Sequence, residues 1–253
     1  MVNFFQAIIL SFVQGITEWF PISSSGHLVI FNHLLGISEN DVVGFTVYLH
    51  FASVLGVVIL FWNDIVNLVA KKKYKYMLAI LLAVIPSALV GIYLKDTIDD
   101  VFSNFFTMGI FFCIFGVLAY STKYAKEKKS KISNGDAGTI GVAQVFSLFP
   151  GISRSGMAIS SGLILGLKKE QAIKFSFLIA IPLVFGAALV DSEPIMEMDL
   201  PFYTYLTSFT ITLLVSLLTI HYLIKLIKND KFYLFGIYNF LLGILLIIWS
   251  FVF

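Results

Sequence analysis

Six long apolar tracts dominate the hydrophobic pattern of this chain. Each is long enough to cross a bilayer as an α-helix, which takes about 20 mostly apolar residues. The tracts are continuous rather than alternating, so the pattern predicts helical spans instead of the strands of a membrane barrel. They lie near residues 43–62, 76–94, 104–122, 172–191, 203–226 and 232–253.

Four shorter apolar segments are interrupted by polar motifs and form two adjacent pairs. Each pair flanks a stretch rich in proline, serine and glycine. Short, broken hydrophobic segments in matching positions are typical of re-entrant or discontinuous helices. We therefore expect two re-entrant helix pairs in addition to the six spans. The four segments lie at roughly 3–19, 25–36, 139–149 and 157–167.

The two interrupting motifs resemble each other letter by letter. The first, QGITEWFPISSSG, begins at Gln14, and the second, QVFSLFPGISRSG, begins at Gln144. Both place a glutamine twelve residues before a glycine, with Phe-Pro between them. This correspondence indicates an internal repeat.

The repeat divides one all-α integral membrane domain, 1–253, into two halves. The halves cover about 1–122 and 139–253 and are joined by a linker at 123–138. Each half has one re-entrant helix pair followed by three transmembrane helices. Because three is odd, the second half is predicted to be inverted relative to the first.

The charge distribution agrees with this inverted arrangement. Nearly all lysines lie in four loop regions, at 71–75, 123–131, 168–174 and 225–231. By the positive-inside rule these regions face the cytoplasm, which places both termini outside and brings the two re-entrant tips together near the midplane. The other loops carry mainly carboxylates, namely Glu39 and Asp41; Asp96, Asp99 and Asp100; and Glu193, Glu197 and Asp199.

Composition sharpens the assignment to the membrane. The chain is 58 % hydrophobic and only 13 % charged, whereas about a quarter of the residues in a soluble domain are charged. Nucleic-acid binding has no support, because the lysines flank spans and form no aromatic-interleaved surface. Small-residue spacings within the spans allow a homodimer without specifying one.

The single arginine, Arg154, lies in the second motif and not in a loop. A buried cation in a membrane is costly and marks a functional site by default. Its planar guanidinium binds phosphate oxygens in pairs. With Ser153, Ser155 and Gly156 at a helix start, it predicts half of a phosphate clamp. The alternative is a structural ion pair with Glu18.

The first motif supplies a different set of groups. Gln14 and Glu18 are four residues apart and share one face of a helix. Glu18 could hold a divalent cation, with Gln14 as a further ligand, or take a proton. It could also serve only as the counter-ion of Arg154.

Three serines follow the proline of the first motif. A serine at a helix start can attack phosphorus if a base accepts its proton, and His27 is the nearest titratable base. From the residues alone, Ser23, Ser24 or Ser25 could be this nucleophile, and the remaining serines could bind phosphate. Serines also cap helices, and that alternative applies to each of the three.

The other histidines carry no predicted role. His33 and His50 each stand alone on an apolar segment, which is typical of a core histidine. His221 lies near cytoplasmic lysines.

Together, QGITEWFPISSSGH and FPGISRSG resemble the two signature motifs of undecaprenyl-pyrophosphate phosphatases of the bacitracin-resistance type. The resemblance covers essentially the whole chain. It implies hydrolysis of a C55 polyprenyl diphosphate to its monophosphate in the cell membrane, which regenerates the lipid carrier for peptidoglycan and other envelope glycans. It also implies dependence on a divalent cation, Mg²⁺ or Ca²⁺, and a site open to the extracytoplasmic side.

The resemblance assigns roles position by position. Its acidic motif falls on Gln14 and Glu18, its nucleophile on Ser24, its histidine on His27, and its phosphate-binding pair on Ser153 and Arg154. Two positions depart from the family pattern. Many relatives have glutamate in place of Gln14, and one carboxylate fewer weakens a two-carboxylate metal site. The family usually has threonine in place of Ala158, so that hydroxyl is dispensable or is replaced by Ser155 or Ser160.

Two mechanisms and a second function class remain open from the sequence. Ser24 attacks the terminal phosphorus while His27 manages the proton, or water attacks directly with His27 as base. An inverted repeat is also a transporter architecture. A lipid-phosphate flippase would need Arg154 and Glu18 for binding but no nucleophile. A structural scaffold leaves the intramembrane arginine unexplained.

Overall fold

The computed structural model describes residues 2–102, 104–190 and 200–252, with only the backbone described at 39–41, 94–102 and 188–190. Regular structure in these parts is helical, with two short 3-10 turns at Thr122–Tyr124 and Phe146–Leu148. The α-helices are α1 (Phe4–Thr17), α2 (Ser24–Leu34), α3 (Glu39–Leu60), α4 (Trp62–Ala70), α5 (Tyr74–Phe102), α6 (Phe105–Ser121), α7 (Asn134–Val145), α8 (Arg154–Ile164), α9 (Lys169–Val190), α10 (Phe202–Lys228) and α11 (Tyr233–Val252).

The six predicted spans are confirmed as helices. In the described parts of the chain, α3, α5, α6, α9, α10 and α11 are each long and apolar enough to cross a membrane. Their outer faces expose large apolar side chains such as Leu241 and Leu245, which a bilayer covers without penalty. The chain is therefore a multi-pass integral membrane protein.

The four short segments form α1, α2, α7 and α8, each too short to span. Helix α7 begins at Asn134, five residues before the apolar tract, because a capping box holds its polar first turn. The Ser133 hydroxyl accepts from the Asp136 amide at 3.1 Å, and the Asp136 carboxylate accepts from the Ser133 amide at 3.0 Å. Helix α4 was not predicted; an ion pair between Asp64 and Lys174 ties it to α9.

The first helix of each predicted re-entrant pair packs on a span from the other predicted half. Helix α1 lies against α10, and α7 lies against α5. Both contacts need glycine, since a Cβ added at Gly15 would lie 2.8 Å from Val215 Cβ, and one at Gly141 would lie 2.8 Å from Ala83 Cα. Helices from the two predicted halves are therefore interleaved.

Helices α6 and α11 pack backbone against backbone. A Cβ at Gly116 would lie 2.7 Å from Phe240 N, and one at Gly243 would lie 2.5 Å from Gly109 O. Small residues allow this close approach between membrane helices. These glycine spacings are thus used inside the chain, and the homodimer stays a prediction.

Polar contacts join lysine-bearing regions that are far apart in sequence. Lys169 Nζ lies 2.6 Å from Asp230 Oδ1 and 3.8 Å from Glu127 Oε1. The Lys129 amide donates to Gly166 O at 2.8 Å. The linker, the loop after α8 and the loop after α10 therefore lie at one end of the molecule. The acidic residues predicted for the opposite loops (Glu39, Asp41, Asp96, Asp99, Asp100, Glu193, Glu197 and Asp199) have side chains outside the described residues.

Candidate functional site

The two motifs meet inside the helix bundle. The Gly151 amide donates to Ser23 Oγ at 3.0 Å. Ser155 Oγ donates to the backbone oxygens of Trp19 at 3.3 Å and Glu18 at 3.4 Å. These contacts join residues about 130 positions apart, so the polar stretches predicted as two half-sites form one cluster.

Two serines begin the helices that follow the motifs. Ser23 Oγ accepts from the Gly26 amide at 3.4 Å, and Ser153 Oγ accepts from the Gly156 amide at 3.1 Å. The capping alternative therefore applies to Ser23, and Ser153 caps α8 in the same way. Both side chains are buried. Ser25 is half-buried, with its hydroxyl 3.3 Å from Ser23 Oγ. Phosphate binding by these serines stays a prediction.

Glycines allow the motifs to approach their neighbours. Gly151 has φ +97°, and a Cβ there would lie 2.7 Å from Met108 O. A Cβ at Gly156 would lie 2.2 Å from Phe115 Cζ and 3.0 Å from Pro21 Cβ. No side chain fits at position 156, between Phe115 and Pro21.

The carboxylate of Glu18 is the centre of the cluster. Its Oε1 accepts from Arg154 Nη2. Its Oε2 accepts from Ser24 Oγ at 2.8 Å and from Gln14 Nε2 at 3.0 Å, and lies 2.9 Å from His50 Nδ1. The side chain is 2 % exposed, and that of Arg154 is 21 % exposed. A buried carboxylate thus links a candidate nucleophile to the arginine of the other motif.

Ser24 is paired with Glu18, and the predicted base His27 has other partners. His27 Nδ1 lies 2.8 Å from Ser23 O, so this nitrogen carries the proton and donates it. Its Nε2 lies 2.7 Å from the Tyr238 hydroxyl. The base role of His27 stays a prediction, and the geometry favours Glu18 as the first acceptor of the Ser24 proton.

Sequence reasoning missed His50, which was interpreted as a core histidine. Helix α3 places His50 beside Gln14 and Glu18 of the first motif, with His50 Nδ1 2.7 Å from Gln14 Nε2. The hydroxyl of Ser53, one turn later in α3, lies 3.4 Å from Gln14 Nε2. A signal was present, because a histidine inside a predicted span suggests function by default.

The predicted cation ligands can be tested against this geometry. Among the described residues, no group of three or more His, Cys, Asp or Glu side chains could hold a metal ion. Gln14 is fully buried, and its Oε1 has no hydrogen-bond partner in the described part of the chain. The Gln14 Nε2 atom, and not Oε1, faces the Glu18 carboxylate at 3.0 Å. Rotating the amide by 180° brings its oxygen beside that carboxylate, which fits the oxygen ligands that Mg²⁺ and Ca²⁺ prefer.

Ala158 stands where the family usually has threonine, and the structure shows which of the two nearby serines lies at the site. Ala158 and Ser160 are buried in α8, and Ser160 Oγ has no partner among the described residues. The hydroxyl of Ser155 donates to backbone oxygens of the first motif, those of Glu18 and Trp19. Ser155 therefore sits closer to the site's chemistry than Ser160 does.

Comparison with known proteins gives a consistent result across the chain. The family model described as Bacitracin resistance protein BacA matches residues 7–245. An undecaprenyl-diphosphatase of Caldicellulosiruptor bescii is 39 % identical over 251 residues, which cover 94 % of both chains. One of Halothermothrix orenii is 38 % identical over 253 residues, covering 96 % of this chain and 97 % of the relative. One of Methanococcus vannielii is 39 % identical over 251 residues, covering 96 % and 98 %.

Proposed function

The chain belongs to the bacitracin resistance protein BacA family, and on that premise we propose that it is a membrane phosphatase acting on undecaprenyl or a similar polyprenyl diphosphate. The products are the lipid monophosphate and inorganic phosphate. Hydrolysis recycles the lipid carrier for peptidoglycan and other envelope glycans. One observation carries the proposal: Glu18 holds a serine hydroxyl on one oxygen and the only arginine of the chain on the other.

The proposed architecture is an inverted repeat in the cell membrane. In each half a re-entrant pair precedes three spans, and α1 packs on α10 as α7 packs on α5. Helices α5 and α10 are the second spans of their halves. This reciprocal packing is what a two-fold relation between the halves requires. The serine caps at Ser23 and Ser153 occupy matching positions and add support.

The proposed orientation places both termini and the opening of the site on the extracytoplasmic side. Support comes from three of the four lysine-bearing regions, at 123–131, 168–174 and 225–231, which ion pairs hold together at one end of the molecule. The positive-inside rule makes that end cytoplasmic. The diphosphate then enters from the outer leaflet, and its prenyl chain stays among the spans.

Arg154 is the proposed anchor of the terminal phosphate. It is the first residue of α8, where the helix start favours an anion, and its side chain is partly exposed. Ser153, Ser155 and Gly156 lie in the same turn as Arg154, and Ser23 and Ser25 of the first motif are proposed as further phosphate ligands. Fixed donors of this kind stabilise the charge that develops on the transferred phosphoryl group.

Ser24 is the proposed nucleophile. Its Oγ attacks the terminal phosphorus, its proton passes to the Glu18 carboxylate, and the bond from phosphorus to the bridging oxygen breaks. The polyprenyl monophosphate leaves, and water then cleaves the phosphoserine to release phosphate. In the direct route, water replaces Ser24 as nucleophile and Glu18 again takes the proton. His27 orients the turn through the carbonyl of Ser23.

A divalent cation, Mg²⁺ or Ca²⁺, held by Glu18 and Gln14 would neutralise charge on the phosphates. The residues present fit this role through one carboxylate and one buried amide. The protein's own cation, Arg154, supplies a further positive charge at the same site.

Phosphate release from a polyprenyl diphosphate by purified protein in detergent tests the proposal. Wild type should release phosphate with Mg²⁺ or Ca²⁺, and EDTA should abolish it. Ser24→Ala and Arg154→Ala should lose nearly all activity. Ser121→Ala, an exposed serine bonded to Leu118 O, is the matched control. Activity retained by Ser24→Ala would favour direct water attack, and a folded wild type that binds lipid without releasing phosphate would favour the flippase.

A further inference from the structure

Three polar atoms beside Ser24 form a closed triangle. Gln14 Nε2 lies 3.0 Å from Glu18 Oε2 and 2.7 Å from His50 Nδ1. His50 Nδ1 lies 2.9 Å from Glu18 Oε2. Every side of the triangle is thus at hydrogen-bond length. Two of its corners belong to the fully buried amide of Gln14 and to the carboxylate of Glu18, which is 2 % exposed.

No assignment of protons satisfies all three sides. If His50 Nδ1 is protonated, it donates to Glu18 but faces the Gln14 NH₂, and two donors meet at 2.7 Å. If Nδ1 is unprotonated, it accepts from Gln14 but faces the carboxylate, and two acceptors meet at 2.9 Å. Rotating the amide by 180° brings Gln14 Oε1 against Glu18 Oε2. Each choice leaves one repulsive contact beside a carboxylate that is 2 % exposed, although the His50 side chain is 25 % exposed, and such a contact is costly where polar groups are buried.

A cation removes the conflict, because an oxygen or nitrogen atom of each of the three side chains can then coordinate the same positive ion. We propose that His50, Glu18 and Gln14 bind one divalent cation through Nδ1, Oε2 and the rotated Oε1. An octahedral ion with bonds of about 2.1 Å has neighbouring ligands about 3.0 Å apart, which agrees with the three sides. The rotated NH₂ group then occupies the position that Oε1 leaves, which has no hydrogen-bond partner among the described residues. One end of the buried amide therefore lacks a hydrogen bond both before and after the rotation.

The charge around the triangle suits a diphosphate ligand. Glu18 and Arg154 neutralise each other, so the bound ion leaves a net charge of two positive units beside Ser24. The remaining octahedral positions are available to phosphate oxygens. The inference deepens the proposed phosphatase function by adding His50 to its metal site, but binding of the ion can be measured without the lipid.

The imidazole ligand should set the metal preference. Nitrogen ligands favour Mn²⁺ over Mg²⁺ and Ca²⁺, which prefer oxygen alone. Wild type should therefore bind Mn²⁺ more tightly than Mg²⁺. The variant His50→Gln keeps a side chain with an oxygen donor and should reduce this preference, whereas His50→Ala should weaken both ions.

Titration of Mn²⁺ into purified, lipid-free protein, followed by the electron paramagnetic resonance of the free ion, measures the site directly. Competition with Mg²⁺ gives the preference. We expect one site in wild type and a loss of more than about tenfold in affinity in His50→Ala, since even outer partners of metal ligands contribute 10- to 100-fold. His221→Ala, an exposed histidine of α10, is the matched control.

Unchanged Mn²⁺ affinity in His50→Ala, or no bound Mn²⁺ in folded wild type, would overturn the inference. Thermal unfolding in EDTA checks that each variant is folded, and His50→Gln provides the test if His50→Ala is not. The proposed function fails separately: a protein that binds Mn²⁺ through His50 and releases no phosphate keeps the metal site and loses the phosphatase.

Discussion

A double-mutant cycle on Glu18 and Arg154 tests the centre of the site. Arg154→Gln leaves a carboxylate that is 2 % exposed without its guanidinium, and removing one partner of a buried pair costs about 3–5 kcal/mol. Glu18→Gln leaves a guanidinium that is 21 % exposed and reaches water, so we expect a smaller cost of about 1–2 kcal/mol. The double variant has no unpaired charge and should be more stable than Arg154→Gln alone.

The expected coupling between the two positions is about 1–3 kcal/mol. Thermal unfolding of purified protein in EDTA measures it, because about 3 kcal/mol lowers the Tm of a chain this long by roughly 6–12 °C. The pair Asp64 and Lys174 is the control, since its side chains are 37 % and 32 % exposed and such pairs contribute under about 1 kcal/mol. Additive effects at Glu18 and Arg154, or an Arg154→Gln variant as stable as wild type, would refute the reasoning.

Three further predictions follow from contacts of the motifs and of α7. Gly156→Ala should destabilise the fold by about 1–3 kcal/mol, because its Cβ would lie 2.2 Å from Phe115 Cζ. Gly138→Ala, with no atom within 4 Å of the added Cβ, should stabilise α7 by about 0.5–1 kcal/mol; equal Tm values would contradict both. Tyr238→Phe removes the hydroxyl 2.7 Å from His27 Nε2 and should lower kcat roughly fivefold, the equivalent of one hydrogen bond. An unchanged rate would show that this contact does not position His27.

Most of the fold was predictable because membrane helices follow apolar length. The spans near 43–62 and 232–253 needed no tertiary information, and neither did the broken segments around the two motifs. Helix α4 was missed because its nine residues, Trp62–Ala70, are too few for a span and lie almost entirely beyond the predicted tract at 43–62. The early start of α7 was missed because polar caps carry no hydrophobic signal.

The site was predictable in its members and less so in its pairings. The two motifs named Glu18, Ser24 and Arg154, and the structure brings these three together. Proximity in sequence suggested His27 as the partner of Ser24, but packing against α11 turns that ring towards Tyr238. His50 entered from a span that carries no motif, and only tertiary packing reveals such a contact.

On the proposed function, the position of Arg154 links substrate binding to proton transfer. Without substrate, Arg154 neutralises Glu18, so the carboxylate has little tendency to take the Ser24 proton. A diphosphate carries more negative charge than one carboxylate and competes for the same guanidinium. As Arg154 turns to phosphate, Glu18 Oε1 is freed and the carboxylate loses a neighbouring positive charge. Glu18 then becomes a stronger acceptor for the Ser24 proton than before, even with the cation on Oε2. The nucleophile is then activated when a phosphate is present to receive it.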